Sequence, residues 1–194
     1  ADITADVIDL TAASGIGNTA AIELASATSI AASSAGSGNI DIDHVADAST
    51  SITTIAQTGT GNILFDQTGS QALAITNNAT TAAGNLNLTT NGTLALAVTS
   101  VTGDMSLTSS GAITDTGTIT VSGTTTLASG AANNIAFDTA SNNFGTVVIT
   151  NGNNVTLVDT NAIALGASTV SGNLSVTGGG AITDSGVLTV TGNS

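Results

Sequence analysis

A single histidine stands among thirteen acidic residues in a chain of 194 that carries no lysine and no arginine. It is His44, in the stretch IDIDHVADAS (40–49). A serine–histidine–aspartate relay needs the imidazole and a carboxylate face to face. Asp43 is the preceding residue, and neighbouring side chains on a strand point to opposite faces. Asp41 shares the face of Asp43, not that of His44. With Ile40 and Ile42 turned inward, His44 extends the buried row or begins a corner, so a packed or surface histidine is expected rather than a catalytic one. Asp41 and Asp43 project together from the other face, roughly 7 Å apart, with Asp47 close by. Carboxylates so placed could hold a hard cation such as Ca²⁺ with the help of carbonyls, and these three are the candidate metal ligands. The alternative is a solvated acidic face. The glycine-rich nonapeptide that binds Ca²⁺ in toxin repeats is absent, and GGGAITD (178–184) does not match its spacing.

Two further aspartates occupy the same place in twin phrases, Asp115 in GAITDTGTITVSG (111–123) and Asp184 in GAITDSGVLTVTG (180–192). Three stacked coils between them would set them about 14 Å apart. A glycosidase pair needs roughly 5–9.5 Å, so each is expected instead to accept backbone N–H bonds at a turn. The triplet Gly178-Gly179-Gly180 precedes no helix and is no phosphate loop. No catalytic residue and no cofactor is expected.

The elements that would position these residues follow from composition and repetition. The chain is 41% hydrophobic, 7% charged and 2% aromatic, with 23 Gly and no Pro, Cys, Trp or Tyr. Its formal charge is −13. Acidic disordered chains lack the Ile, Val, Leu and Thr in which this one is rich, so it should fold. Without a basic side chain it cannot neutralise phosphates, which argues against nucleic-acid binding and against attraction to anionic lipid. No apolar run approaches the ~20 residues that span a bilayer, so membrane insertion is not expected. The chain opens with ADITAD and no initiating Met, which is compatible with a leader or a larger region upstream.

Glycine-led lines recur at 38, 61, 84, 103, 123, 145 and 172, with a stub at 192, at intervals of 23, 23, 19, 20, 22, 27 and 20 residues. The second and fourth residues after each glycine are Ile40/Ile42, Ile63/Phe65, Leu86/Leu88, Met105/Leu107, Thr125/Leu127, Val147/Ile149 and Leu174/Val176. Only Thr125 breaks the apolar pattern. Alternation with polar residues between them marks half-buried strands. Further short strands follow, such as Leu94-Ala-Leu96 and Ile119-Thr-Val121, separated by Gly, Asn, Asp and Ser that suit corners and positive φ.

A line of about 22 residues cannot bury its apolar face alone, but it can by stacking on the next line, each strand pairing in parallel with its copy. The expected fold is all-β, a right-handed parallel β-helix of about nine coils with 19–27 residues per coil, about 43 Å long, forming one domain over 1–194. A β-sandwich is the runner-up, but antiparallel hairpins would not align residues line after line. Many β-helices act on polysaccharides. Such sites want a cation for developing negative charge and aromatic platforms for sugars, and this chain has no Lys, Arg, Trp or Tyr. Ice binding by Thr-x-Thr ladders is disfavoured because Thr118/Thr120, Thr124/Thr126 and Thr189/Thr191 fall out of register along the lines.

The stretch VIDLTAASGIGNTAAIELASATSIAASSAGSGNIDI (7–42) and lines such as GNLSVTGGGAITDSGVLTVTG (172–192) resemble filamentous-haemagglutinin-type repeats, and the resemblance covers nearly the whole chain. It implies the β-helical shaft of a large secreted adhesin on the outside of a Gram-negative cell, many of which leave by two-partner secretion. The Asn-Pro-Asn-Gly-type motif of the secretion domain is absent, since there is no proline. The expected function is a non-catalytic structural shaft of an extracellular adhesin or surface filament, giving reach, rigidity and display for adhesion or self-assembly. The rival is a glycan-binding or polysaccharide-active β-helix. The end coils show no polar cap, so the expected partners are neighbouring repeat segments or identical chains stacked head-to-tail, with host or surface glycans or proteins beyond them.

Overall fold

The computed structural model describes residues 1–194. It contains twenty-one short strands and no helix, hence no helix long and apolar enough to cross a membrane. Every pairing between strands is parallel and joins a strand to its copy about one coil later. The result is a β-solenoid of about nine turns with about 21 residues per turn.

Three columns of inward side chains run along it. The first stacks Ile40, Ile63, Leu86, Met105, Thr125 and Val147, with Ile42, Phe65, Leu88, Leu107, Leu127 and Ile149 beside them. The second stacks Thr50, Leu73, Leu94, Ile113, Ile135, Val155 and Leu174. The third contains Gln57, Thr81, Val101, Val121 and Phe144. Aliphatic residues fill this interior because a like side chain one coil away presents the same shape at the strand spacing of about 4.8 Å. The one aromatic stack joins Phe137 and Phe144, ring centroids 5.8 Å apart and 12° from parallel.

Two ladders fix the register. The line-leading glycines lie too close to the coil before them for any side chain: a Cβ on Gly61 would sit 2.1 Å from the Gly38 carbonyl oxygen, and one on Gly84 2.0 Å from that of Gly61. Close approach, rather than the positive φ expected from the sequence, is what these positions need; glycines with positive φ are confined to 15, 17, 69 and 130. The residue after each of the first few of these glycines supplies the second ladder. Asn39 Oδ1 accepts the N–H of Asn62, Asn62 Oδ1 that of Asn85, and Asn85 Oδ1 that of Asp104, each at 2.9 Å.

The lines do not all stack in the phase their glycines suggest. Val147, of the line led by Gly145, stays in the first column. Leu174, of the line led by Gly172, pairs with Val155 in the second. The 27-residue interval between the two glycines is therefore a change of column, not a longer coil; the coil from Val155 to Leu174 is one of the shorter ones. The asparagine ladder moves with it, resuming in the second column where Asn154 N–H donates to Asn134 Oδ1, Asn173 to Asn154 and Asn193 to Asn173.

Candidate functional site

The candidate ligands lie on the strand Ile40–Val45 of the first column. Alternation turns Ile40, Ile42 and His44 inward and leaves Asp41 and Asp43 outward. In-register pairing then aligns Glu23, Asp43 and Asp66 on three consecutive coils. Like charges directly opposite one another repel, and the only cation nearby is the Ala1 amine, 3.3 Å from the Glu23 carboxylate. Burial, with the Asp43 charge second, raises the pKa of both Asp41 and Asp66 above the ordinary carboxylate value. Asp47 stands at the following corner, where it accepts a 2.6 Å bond from the Ser26 hydroxyl. No three histidine or acidic side chains gather into a cluster that could hold a metal ion.

The aligned acids border a shallow groove of about 310 Å³, whose walls include Asp43, Val45, Asp66 and Thr68. Asp66 was not singled out from the sequence, although the signal was there. It follows Gly61 by the same five residues that separate Asp43 from Gly38, so in-register stacking places it beneath Asp43.

His44 is 1% exposed, its ring tilted against Phe65 with centroids 6.3 Å apart. Its row continues inward as Gln67, Thr90 and Ser109, all buried. Nδ1 lies 3.4 Å from Gln67 Oε1, and Nε2 has no hydrogen-bond partner. Burial lowers the imidazole pKa below 6.5, against weaker raising effects from the Gln67 bond and the Asp47 charge. The imidazole thus belongs to the core, and no hydroxyl or carboxylate is hydrogen-bonded to it in the manner of a catalytic relay.

The twin-phrase aspartates part company. Asp115 is buried and accepts bonds from the Asp138 and Thr139 backbone N–H groups at 3.1 and 3.3 Å and from the Asn142 side chain at 2.6 Å. It clamps the corner of the next coil, a turn role of the kind expected. Asp184 is exposed and pairs with Leu165, which pairs with Val147 of the first column. Asp115 belongs to the second, paired with Leu96. The two are therefore not stacked copies three coils apart on one side; the column change separates them. Asp159, buried and unremarked in the sequence, does what Asp115 does: it accepts the Phe144 N–H at 2.6 Å and the Asn161 N–H at 2.7 Å.

Taken together, uniform parallel stacking, a core drawn from every coil and corner-clamping polar side chains define a β-solenoid repeat protein. Within that class the chain belongs to the family described as Repeats of unknown function (DUF5649), whose profile matches residues 83–151 and 152–194. No curated protein and no solved structure matches it.

Proposed function

We propose that this chain is a non-catalytic segment of the shaft of an extracellular adhesin or surface filament, supplying reach, rigidity and display for adhesion or self-assembly at the surface of a Gram-negative bacterium. The observation that carries the reading is the continuity of the parallel stacking: successive coils offer the next a strand edge, and many add a close glycine contact or a side-chain oxygen for its backbone N–H, so the same fold lengthens without new design. The resemblance to filamentous-haemagglutinin-type repeats supplies the surface setting. The buried His44 and the corner-bound Asp115 are accounted for by packing and by turn hydrogen bonds.

The proposed partners are further coils of the same pattern, from neighbouring repeat segments or from identical chains stacked head-to-tail. Host or surface glycans or proteins would be met by the display surfaces. Electron microscopy tests the shaft: rods of solenoid width are expected, and rounded particles would overturn it. A melting temperature that rises with added polysaccharide would support the glycan-binding reading instead.

A further inference from the structure

The two family matches begin at residues 83 and 152, which are 69 residues apart, and the twin phrases recur at the same interval. That interval is not a whole number of coils. Starting from Ile113, pairing leads through Ile135 and Val155 to Leu174, three coils later. The equivalent of Ile113 one unit on is Ile182, eight residues beyond Leu174, and it pairs with Ile163 rather than with any member of that stack. Likewise Leu86 belongs to the first column, while its equivalent Val155 belongs to the second. With about 21 residues per turn, eight residues are close to a third of a coil.

We propose that the 69-residue unit is a screw element: each unit winds about three and a third coils, so consecutive units carry the same side chains to consecutive sides of the shaft. This rests on the reading of the chain as a shaft for display. One unit then advances roughly 16 Å at the strand spacing and rotates by about a third of a turn. Three units, close to ten coils and roughly 48 Å, return a residue to its starting side. Surface features that recur once per unit are thereby distributed around the shaft. The outward pairs Ser106/Ser175 and Thr108/Thr177 are examples. A partner that binds one unit's surface finds copies facing three directions, and neighbouring shafts can be gripped from every side. A unit of three whole coils would instead line all copies up on one face.

The chain has no cysteine, so spin labels can be placed in pairs on the full 194-residue protein. Ser106→Cys with Ser175→Cys marks equivalent residues of the two units. Thr114→Cys with Ser175→Cys marks residues three coils apart in one column, through Ala136 and Thr156. Pulsed electron–electron resonance should give a distance for the equivalent pair longer than that for the column pair by on the order of 5 Å, because the ~10 Å between packed sheets adds at right angles to axial rises of roughly 16 and 14 Å. Equal distances would place equivalent residues on one side and overturn the screw. Thr108→Cys with Thr177→Cys, both exposed, repeats the measurement should the first pair disturb the fold. Rods without the longer distance would leave the shaft standing and remove the screw; the longer distance in a protein that forms no rods would do the reverse.

Discussion

The interior imidazole gives the sharpest handle on the core, because lowering the pH below 6.5 asks it to accept a proton for which the structure has made no provision. His44 is buried, its Nε2 faces no acceptor, and burial holds its pKa below 6.5. The unfolded chain therefore takes up the proton first, so stability falls as the pH drops through 6.5 and continues falling until the folded pKa is reached. If the folded imidazole stays neutral, the loss is at most about 1.4 kcal/mol at pH 5.5 and about 2.7 kcal/mol at pH 4.5. Asp41 and Asp66 work in the opposite sense: their raised values mean the folded state binds protons first, so they favour folding as the pH falls through the carboxylate range. The difference between wild type and His44→Leu cancels those carboxylates. Leu suits the row, since His44 stacks on Leu24. Urea unfolding from pH 7.5 to 5 should show wild type losing on the order of 1–2 kcal/mol relative to the variant, whatever their offset at pH 7.5. Parallel curves over that range would refute the argument and imply that the imidazole reaches water or a partner.

Four other substitutions probe the site and the columns. Asp115→Ala removes the acceptor for two backbone N–H groups and the Asn142 amide and should cost about 3 kcal/mol, whereas Asp184→Ala, exposed in this chain, should stay within about 0.5 kcal/mol; equal losses in urea titrations would contradict the clamping role of Asp115. Thr125→Val deletes a buried hydroxyl with no partner between Met105 and Val147, and should stabilise the fold by about 1 kcal/mol, read as a rise in urea midpoint; a fall would mean the hydroxyl is satisfied. Asp66→Asn relieves the repulsion with Asp43 at neutral pH and should stabilise the fold by a few tenths of a kcal/mol given solvent screening, read as a slight rise in melting temperature. That gain should shrink as NaCl is added, and a salt-independent gain would point to a cause other than charge.

Much of this architecture is legible in the residues, because the solenoid repeats a local rule. Alternation in Ile40-Asp41-Ile42-Asp43 sets which side chains face inward; for His44 it leaves open a place in the buried row or at a corner, and the structure has it in the row. The aligned lines would also have yielded the acidic row, since Asp43 and Asp66 follow their glycines by equal distances. The clamps were less accessible. Asp115 looks like any turn aspartate, and nothing local says that its partners are Asp138, Thr139 and Asn142, because those groups lie a coil away. Gln57 is similar: its amide bonds the Gly38 carbonyl and its Oε1 accepts the Gly59 N–H, a corner brace that only three-dimensional stacking brings together.

The phase of the lines was the harder matter, for a physical reason. Any side of a solenoid demands the same things of its strands: alternate apolar residues, a glycine where the backbone crosses close to the coil before, and an asparagine to accept the next amide. A glycine-led line therefore looks alike whichever column it joins, and aligning lines by their glycines assumes that the column never changes. The 27 residues between Gly145 and Gly172 were the one break in an otherwise narrow spacing. They include Val155–Asp159, which continues the second column, and Ile163–Leu165, which follows on Val147, so the line led by Gly172 comes round to the second column one coil after Val155. What holds the new phase is Asn154, whose N–H donates to Asn134 Oδ1 and whose own Oδ1 accepts the N–H of Asn173. An asparagine ladder tolerates no gap of half a coil, because its acceptor must meet the backbone N–H of the coil directly above. The ladder carries the register that hydrophobic alternation leaves open, and where it moves to another column the whole repeat turns with it.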